Sequence, residues 1–363
     1  MPGVLEILPD METALPSTMK AWRFHTASSG AEKHMKLETL PLPSQPLPPN
    51  SSLIKVQLVS LNPVDIKFAE TPYIGRLLHP MPAIPGLDGV GRVVKTTNAT
   101  LQPGELVMFR LLEKQTQGAL AEYIVVPSEG CVPVPDGVPP AQAATVGTCG
   151  MTAYQAIAPY VEKHRSQTGE EPFRVFINGG SGGTGTFQIQ VAKALGCYVA
   201  ASCSTSNVEL CKSLGADAVI DYRSGSTSDA LSNMVLNEAS PQFDLVVDNV
   251  DLPWRLYKAA ASYMKAEGTY VQIGGDFSWQ AIIELMRIKL LPSLLGGVQR
   301  QWMFLAMKTN REHGERVLQW MQEGKIRIPI DKEFGFNDVP SAYKRLKDGR
   351  TRGKILVHVS KEG

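Results

Sequence analysis

The chain has 363 residues, of which 43% are hydrophobic and 20% are charged, and its formal net charge is +1. This length allows two domains or one large domain with a substantial core. The near-neutral charge gives no electrostatic support for nucleic acid or an anionic membrane as a partner. The five cysteines are an odd number without a CxxC pair, which argues against a disulfide framework or a four-cysteine zinc lobe. We therefore expect reduced, buried thiols in a cytoplasmic protein.

The first part of the chain predicts a β-rich domain. Residues 1–18 form an irregular, Pro-containing leader that lacks the basic and apolar regions of a secretory signal. Residues 19–145 then contain short β-branched runs separated by Gly and Pro, such as MKAWRF and SLIKVQLVSL. This pattern is typical of a mostly β, barrel-like domain.

The pattern changes near residue 146. Over residues 146–310, predicted strands alternate with segments of helical periodicity, which indicates a parallel sheet wound by helices. The predicted strands are FRVFIN, CYVAAS, AVIDY, FDLVVDNV and GTYVQIG. The apolar stretch 281–298 is interrupted by charges and a proline, so it predicts a buried or interface helix rather than a membrane span. Residues 311–363 predict two helices and the closing strand KILVHV.

A glycine pattern, Gly180-x-Gly182-x-x-Gly185, lies between the strand FRVFIN and a helix. In such a loop the first glycine allows a tight turn, the second lets the backbone approach a pyrophosphate, and the third lets helix and strand pack closely. The N–H groups at the helix N-terminus then favour phosphates. We predict a dinucleotide site, with a merely flexible glycine loop as the alternative.

The end of the next strand indicates which dinucleotide binds. NAD sites carry an acid there, about 20 residues beyond the glycine loop, that holds the ribose 2′-hydroxyl. Residues 202–207 of this chain read SCSTSN and contain no carboxylate, and Lys212, Tyr222 and Arg223 follow. Because hydroxyls and cations suit a 2′-phosphate, we predict NADP(H). SCSTSN as a plain turn and helix cap remains the alternative.

Together these segments resemble the medium-chain dehydrogenase/reductase superfamily, most closely its zinc-independent quinone oxidoreductase and enoyl reductase branch. The matching segments are LNPVDIK, IPGLDGVGRVV, GALAEYIVVP, AATVGTCGMTAYQAI, INGGSGGTGTFQIQVAKALG, SLGADAVIDY and RGKILV. The resemblance implies an α/β protein of two domains. A GroES-like catalytic domain, a partly open barrel, would comprise residues 19–145 and 311–363. A Rossmann domain with a doubly wound parallel sheet would comprise residues 146–310.

The resemblance also argues against a metal. Zinc enzymes of the superfamily take one ligand from a cysteine where this chain has Asn62, and another from Gly-His-Glu where it has Gly86-Leu87-Asp88. Without the thiolate and the imidazole, tetrahedral zinc lacks its usual donors, so we expect no metal. A hard cation between Asp65 and Asp88 is the weaker alternative.

The site residues come from the resemblance, residue by residue. It implies Lys67 as the first catalytic candidate, with Asn62 and Asp65 shaping its loop. Lys67 would also contact the cofactor, together with residues from five other segments. The implied cofactor residues are Thr152 near the nicotinamide; Gly180, Ser181, Gly182, Gly183, Thr184 and Gly185 of the glycine loop; Ser204, Asn207, Lys212 and Tyr222 at the 2′-phosphate and adenine ribose; Ile273 and Gly274 at the nicotinamide end; and Lys354 through its backbone.

Some further residues have two interpretations. Tyr73, Arg76 and His79 lie in a Pro-rich loop that could border the substrate pocket, although an ordinary surface loop is the simpler interpretation. Cys149 has no His or carboxylate motif with it, so we interpret it as a core thiol rather than a nucleophile.

The function implied is hydride transfer from NADPH, without zinc, to the activated C=C of an α,β-unsaturated carbonyl compound or to a quinone. One alternative is a trans-acting enoyl reductase that serves a polyketide-type synthase and reduces an acyl-carrier-bound substrate. Another is a non-enzymatic NADPH-binding protein, crystallin-like or RNA-associated, for which the basic segment 343–354 is the relevant feature. We expect a small-molecule substrate, no nucleic acid or membrane partner, and a monomer or a homodimer that pairs through GTYVQIG and the apolar helix after it.

Overall fold

The computed structural model describes residues 15–43, 45–72, 75–111, 117–168, 172–236, 240–250, 254–275, 279–290, 297–298 and 300–360. Most of the predicted leader and Tyr73 therefore lie outside the described residues, as does the Arg76 side chain.

Within residues 146–310, the observed strands follow the predicted ones closely. Over the described chain as a whole, there are more strands than were predicted. They are β1 Thr18–Phe24, β2 Met35–Pro41, β3 Ser51–Ser60, β4 Asp88–Thr96, β5 Leu106–Arg110, β6 Tyr123–Pro127, β7 Cys131–Pro133, β8 Arg174–Asn178, β9 Tyr198–Cys203, β10 Ala218–Asp221, β11 Phe243–Asp248, β12 Met264–Gln272, β13 Gln301–Phe304, β14 Ile330–Gly335 and β15 Lys354–His358.

The helices are α1 Val64–Lys67, α2 Gly75–Leu78, α3 Pro140–Ala143, α4 Met151–Thr168, α5 Gly183–Ala194, α6 Val208–Ser213, α7 Thr227–Leu236, α8 Trp254–Tyr257, α9 Ala260–Tyr263, α10 Trp279–Leu290, α11 Arg311–Gln322 and α12 Val339–Lys347. A π-helical turn, Val146–Gly150, leads directly into α4. None of the described helices is long and apolar enough to cross a membrane.

The first domain is built on a mainly antiparallel sheet in the order β14-β15-β3-β4-β5-β7, with β6 also paired to β3. Strand β15, from the end of the chain, pairs antiparallel with β3, where Leu356 lies opposite Ser60. The C-terminal segment therefore returns to the first domain, which confirms the predicted β-rich fold with its closing strand.

The second domain contains a six-stranded sheet in the order β10-β9-β8-β11-β12-β13, in which each neighbouring pair is parallel. Strand β8 has an apolar, buried sequence because helices cover both faces of a parallel sheet. Val175 and Ile177 pack in the core with Phe187 of α5, while Phe176 between them packs on the opposite face with Leu231 of α7. The doubly wound parallel fold is thus confirmed. Strand order reverses between β8 and β11, the position at which such sheets bind ligands.

The prediction that GTYVQIG is the edge strand of this sheet is wrong, and of the two alternatives for the apolar helix after it, buried or interface, the buried one is excluded. GTYVQIG forms part of β12, which lies between β11 and β13, so the edge strand is β13. Helix α10 is not buried, since Trp279 and Leu290 are 81% and 69% exposed while Glu284 is buried. The apolar composition of this segment indicated a covered helix, but composition cannot tell whether the cover comes from the same chain. Its role as an interface helix stays a prediction.

Candidate cofactor and substrate site

A cleft of about 1400 Å³ lies at the carboxyl ends of β8 and β9, where the two domains meet. One wall is the glycine loop, residues 179–185, and the end of β9. The opposite wall is the C-terminal strap, residues 348–353, which connects α12 to β15. At the inner end the lining residues are Leu61, Asn62, Pro63, Cys149 and Lys354.

Each glycine of the loop has a different physical role. The residue with the left-handed backbone is Gly179 (φ 80°), so the turn begins one residue before the predicted Gly180. Gly180 instead packs on β9, since a Cβ there would lie 2.9 Å from Ala201 Cβ. A Cβ on Gly185 would overlap the Gly179 carbonyl oxygen, whereas a Cβ on Gly182 would have 3.7 Å to that oxygen. Gly185 therefore serves close packing, and Gly182 leaves the cleft open.

The glycine loop presents the N-terminus of helix α5 to the cleft. Helix α5 has 12 residues and begins at Gly183, directly after Gly182. The first N–H groups of a helix have no partner within the helix, and its dipole favours negative charge there. Ser181, Gly182, Gly183 and Thr184 all line the cleft. These residues fit a pyrophosphate.

Asn207 connects the glycine loop to the end of β9. Its Nδ2 donates to Ser181 Oγ at 3.0 Å and to Ser204 Oγ at 3.2 Å. Its Oδ1 is buried and accepts no hydrogen bond from the described protein atoms, although the residue lines the cleft. A ribose hydroxyl could donate to that oxygen. Ser204, Asn207 and Tyr222 are thus brought together as expected for an adenosine site.

The cations near this end of the cleft agree only in part with those named from the sequence, Lys212 and Arg223. Lys212 lies on α6, pairs with Glu209 at 2.9 Å, and is not among the residues that line the cleft. Arg223 does line it, together with the strap residues Arg350 and Arg352, and Arg352 Nη2 donates to the Ser206 carbonyl at 3.0 Å. From the sequence, Arg350 and Arg352 were only part of the basic segment 343–354, because their position across from β9 depends on the fold.

The strap is hydrogen-bonded to the glycine loop on one side and to β14 and α12 on the other. The Gly353 N–H donates to the Ser181 carbonyl at 3.0 Å. On the other side, the Arg352 N–H donates to the Asp331 carboxylate at 3.2 Å, and Arg345 Nη2 donates to the Arg350 carbonyl at 3.2 Å. The strap therefore connects the GroES-like domain to the glycine loop directly above the cleft.

A set of polar side chains, which we call the inner cluster, lies at the inner end of the cleft. Three of its members, Asn62, Cys149 and Lys354, line the cleft. Its members come from separate segments of the chain: Asn62, Asp65, Asp88, Thr148, Cys149, Tyr343 and Lys354.

Lys354 is at the centre of the inner cluster. This lysine is 2% exposed, and its ammonium donates to Asn62 Oδ1 at 2.5 Å and to the Leu61 carbonyl at 2.9 Å. It also contacts Cys149 Sγ at 3.4 Å. Burial would lower the pKa of Lys354, but Cys149, Asp88 and Asp65 outweigh that effect, so the pKa is raised and the ammonium stays charged. The family resemblance implied only a contact between the Lys354 backbone and the cofactor.

The two carboxyl groups of the cluster have different partners. Asp88 accepts from Asn62 Nδ2 at 2.6 Å and from Thr148 Oγ1 at 2.6 Å. Asp65 accepts from the Asn62 N–H at 2.9 Å and from Tyr343 OH at 3.0 Å. Burial and the neighbouring Asp88 raise the pKa of Asp65 to about 7, in spite of its hydrogen bond from Asn62 and the charge of Lys354. Asp65 therefore titrates near neutral pH.

The remaining predicted residues lie outside the described lining of the cleft. Lys67 is the last residue of α1 and is half-buried. Thr152 is buried in the first turn of α4, where its hydroxyl donates to the Thr148 carbonyl at 2.6 Å. Ile273 and Gly274 follow β12, and the Ile273 N–H donates to the Asp248 carbonyl at 2.8 Å. Their contacts with cofactor stay predictions.

The inner cluster does not fit a zinc ion. In the described ranges, no three His, Cys, Asp or Glu side chains are grouped so that they could hold a metal. Asn62 Oδ1 already accepts from the Lys354 ammonium, and Asp88 accepts from Asn62 and Thr148. A cationic ammonium beside these oxygens would repel a metal ion, and the thiolate and imidazole donors that zinc prefers are missing from the Asn62 and Leu87 positions.

Comparison with known proteins agrees with this architecture. Residues 48–136 match the alcohol dehydrogenase GroES-like domain, and residues 214–357 match a family described as zinc-binding dehydrogenase. The trans-enoyl reductase pgmF of Aspergillus terreus is 44% identical over 96% of this chain and 98% of its own length. The chloroplastic quinone oxidoreductase QR1 of Triphysaria versicolor is 29% identical over 93% of this chain and 98% of its own.

Among solved structures, a quinone oxidoreductase from Coxiella burnetii superposes with a TM-score of 0.76 at 26% identity, and covers 94% of this chain and 100% of its own. The two family models match both domains, and the relatives extend over nearly the whole chain. The chain therefore belongs to the medium-chain dehydrogenase/reductase superfamily, a family of nicotinamide-dependent oxidoreductases, and within it is similar to enoyl reductases and quinone oxidoreductases.

Proposed function

We propose that the protein is an NADPH-dependent reductase of the activated C=C bond in α,β-unsaturated carbonyl compounds, and that it works without zinc. When bound, NADPH supplies the hydride. The observation that carries the proposal is the inner cluster, where Asn62, which by resemblance stands at the position of a cysteine ligand in the superfamily's zinc enzymes, instead accepts a hydrogen bond from the buried ammonium of Lys354. Reduction of C=C needs no metal to polarise a carbonyl for direct attack, whereas simple ketone reduction is helped greatly by one.

The residues of this chain would bind the cofactor, orient it in the cleft and shield it from solvent. The glycine loop and Asn207 would hold the pyrophosphate and ribose, and the strap would cover them. Lys354 acts as a positioning residue, because its hydrogen bonds fix Leu61 and Asn62 at the inner end of the cleft. Its positive charge also favours the enolate that develops during reduction, and a fixed charge costs no reorganisation when the reaction occurs. Lys67 stays a candidate for contact with the substrate oxygen.

The preference for NADPH over NADH rests on the end of β9. Ser204 and Asn207 line the cleft with Tyr222, and Arg223, Arg350 and Arg352 supply positive charge near them. A 2′-phosphate would be attracted to these groups, and no carboxylate follows β9 to hold a 2′-hydroxyl.

Replacement of Ser204 tests this preference. We expect Ser204→Asp to raise the KM for NADPH by roughly tenfold or more, equal to about 1.4 kcal/mol, because the added carboxylate repels the phosphate. Lys212→Ala is the matched control, since Lys212 pairs with Glu209 outside the lining of the cleft. A wild-type enzyme that prefers NADH would contradict the assignment, and a large effect of Lys212→Ala would return that residue to the phosphate site.

The substrate class that the relatives favour is an enoyl thioester presented by another protein. Trans-enoyl reductase pgmF is 44% identical along almost the whole chain, and trans-enoyl reductase poxH of Penicillium oxalicum is 26% identical over 95% of it. We therefore propose that the chain serves as a trans-acting enoyl reductase for a polyketide-type synthase. Quinones are the second candidate, because quinone oxidoreductases are also among its relatives.

The test is NADPH oxidation with a matched panel: an enoyl pantetheine thioester, the corresponding free enone, and a quinone. We expect the highest kcat/KM for the enoyl thioester and measurable turnover of the enone. A preference for the quinone would favour the second candidate. NADPH binding without turnover of any acceptor would indicate a non-enzymatic protein.

We also propose a cytoplasmic location, because all five cysteines are free and buried, as expected in a reducing compartment. A homodimer would pair through the β13 edge and the exposed apolar face of α10. Light scattering of the purified chain would distinguish a dimer from a monomer.

A further inference from the structure

The five cysteines, all within the described residues, have unequal surroundings. Cys131, Cys197 and Cys211 are buried in the cores and are not among the cleft-lining residues. Burial raises the pKa of Cys131 to about 12 and that of Cys197 to about 12, and it also raises the pKa of Cys211. These three thiols are in the environment of inert, structural cysteines.

Two cysteines line the cleft, and they differ from each other. Cys203, at the end of β9, has its pKa raised by burial, and the charge of Asp221 adds to that effect. Cys149, at the inner end, contacts the Lys354 ammonium at 3.4 Å and accepts from Thr184 Oγ1 at 3.6 Å.

Cys149 also lies against the start of α5, since a Cβ on Gly183 would come 3.2 Å from its sulfur. A lysine ammonium and a helix N-terminus are the surroundings in which reactive protein thiols are found, because both stabilise a developing thiolate. In this chain they converge on one sulfur at the wall of a ligand-binding cleft. No His or carboxylate motif accompanies Cys149 in the sequence, so its interpretation as a core thiol missed a cation that is 205 residues away in the chain.

We propose that Cys149 is a modification site that captures soft carbon electrophiles, including α,β-unsaturated carbonyl compounds, when the cofactor is absent. The sulfur forms a bond to the β-carbon, and the C=C electron pair moves through the α-carbon to the carbonyl oxygen. The S–H bond of Cys149 breaks, the resulting enolate takes a proton at the α-carbon from the Lys354 ammonium or from water, and the proton lost from the thiol restores the ammonium or passes to water. The net change is addition of S–H across C=C, with no oxidant or reductant consumed.

Bound cofactor protects the thiol in this scheme. Cys149 Sγ is next to Gly183 and Thr184, and these residues belong to the proposed pyrophosphate cradle. A dinucleotide in the cleft would cover the approach to the sulfur. The same compound class would then be reduced by the loaded enzyme and would alkylate the empty one. The capture step needs no hydride, so it can be tested separately from the proposed reductase activity.

The experiment treats the full-length protein with N-ethylmaleimide, or with methyl vinyl ketone as an enone, and locates the adduct by peptide mass spectrometry. We expect Cys149 to be labelled first and Cys203 much more slowly. NADP⁺, which carries no transferable hydride, should slow labelling of Cys149. Cys149→Ser should abolish this first adduct, while Cys203→Ser should leave it. Equal labelling of Cys203 and Cys149, or labelling of Cys149 that NADP⁺ does not slow, would overturn the proposal.

Variants of Lys354 test the role of the cation. We expect Lys354→Met to slow labelling roughly tenfold or more, the effect of removing one opposite charge at short range, while Lys354→Arg retains faster labelling. If Lys354→Met does not fold, as judged by circular dichroism, Thr184→Val removes the other donor and should also slow labelling. Unchanged rates in the folded variants would contradict an activated Cys149. A positive labelling result without enone turnover would refute only the reductase proposal.

Discussion

The glycine loop and the inner cluster face each other across the same cleft, but they are built in different ways. The loop is one continuous stretch, residues 179–185, whose function depends on backbone shape and on missing side chains. The inner cluster joins Asn62 to Lys354, 292 residues apart, and its function depends on side-chain charge. Local patterns therefore reveal the first site, while the second exists only after the chain has folded.

Mutations in the two regions should also have different effects on ligand binding and on stability. A substitution in the glycine loop should impair ligand binding or local packing. It should not leave a buried charge without a partner, because the loop buries no charged side chain. A buried charge network loses stability when one member is removed, since the remaining charges have no compensation. The following predictions test that difference, from the largest expected effect to the smallest.

The largest effect should come from Lys354→Met. Removal of the ammonium leaves Asp88 and Asp65 without their buried cation, so we expect the free energy of unfolding to fall by about 3–5 kcal/mol. Urea denaturation followed by circular dichroism measures this change. Lys354→Arg is the matched control, because it keeps the charge and should lose less. Equal stability of Lys354→Met and wild type would show that the cluster does not depend on its cation.

The second prediction concerns pH. The pKa of Asp65 is about 7 in the folded protein, compared with an ordinary value of 3.8, so the folded state binds a proton more tightly than the unfolded state. The contribution of this proton to stability is therefore complete below about pH 4 and is lost as the pH rises to about 7. We expect it to amount to about 2–4 kcal/mol, because one pKa unit corresponds to ~1.4 kcal/mol.

Asp65→Asn removes this titration and keeps an oxygen that can accept from Asn62 and Tyr343. The difference in unfolding free energy between wild type and Asp65→Asn should move in favour of the variant as the pH rises from about 4 to 7. A difference that is constant over this range would show that Asp65 is ionised throughout.

The third prediction compares two glycines in the loop. Gly185→Ala places a Cβ against the Gly179 carbonyl oxygen and should destabilise the protein by about 1–3 kcal/mol, as overpacking does. Gly182→Ala has space for its methyl group and should change stability by no more than about 0.5 kcal/mol. It should nevertheless raise the KM for NADPH, because the methyl group faces the proposed phosphate position. Thermal unfolding and initial rates would separate the two effects, and identical behaviour of the two variants would contradict their assigned roles.

The smallest effect should come from Lys67→Ala. Lys67 is half-buried at the end of α1 and is not among the described lining residues, so we expect kcat and KM to change by only about twofold. Steady-state kinetics with NADPH and an enone measures this. A much larger loss of kcat with unchanged stability would restore Lys67 as the catalytic lysine that the family resemblance implied.

Sequence and structure agree best where the signal is local or periodic. The β-rich domain, the doubly wound sheet, the glycine loop and the serines after β9 follow from short patterns, and each lies where it was expected. Strands β2, β7, β13 and β14 were missed. β14 carries the charged residues Asp331, Lys332 and Glu333, so its sequence lacks the alternation of a half-buried strand.

The amino-acid sequence by itself determined the fold class, the glycine turn between β8 and α5 and the absence of the family's zinc donors, because each depends on residue types at fixed short spacings. Only the tertiary structure decided which cations face the cleft, replacing Lys212 with Arg352. It also decided that Lys354, Asp65 and Cys149 form one buried group. The physical reason is that charge interactions act through space, so pKa values and thiol environments depend on neighbours that the order of residues does not reveal.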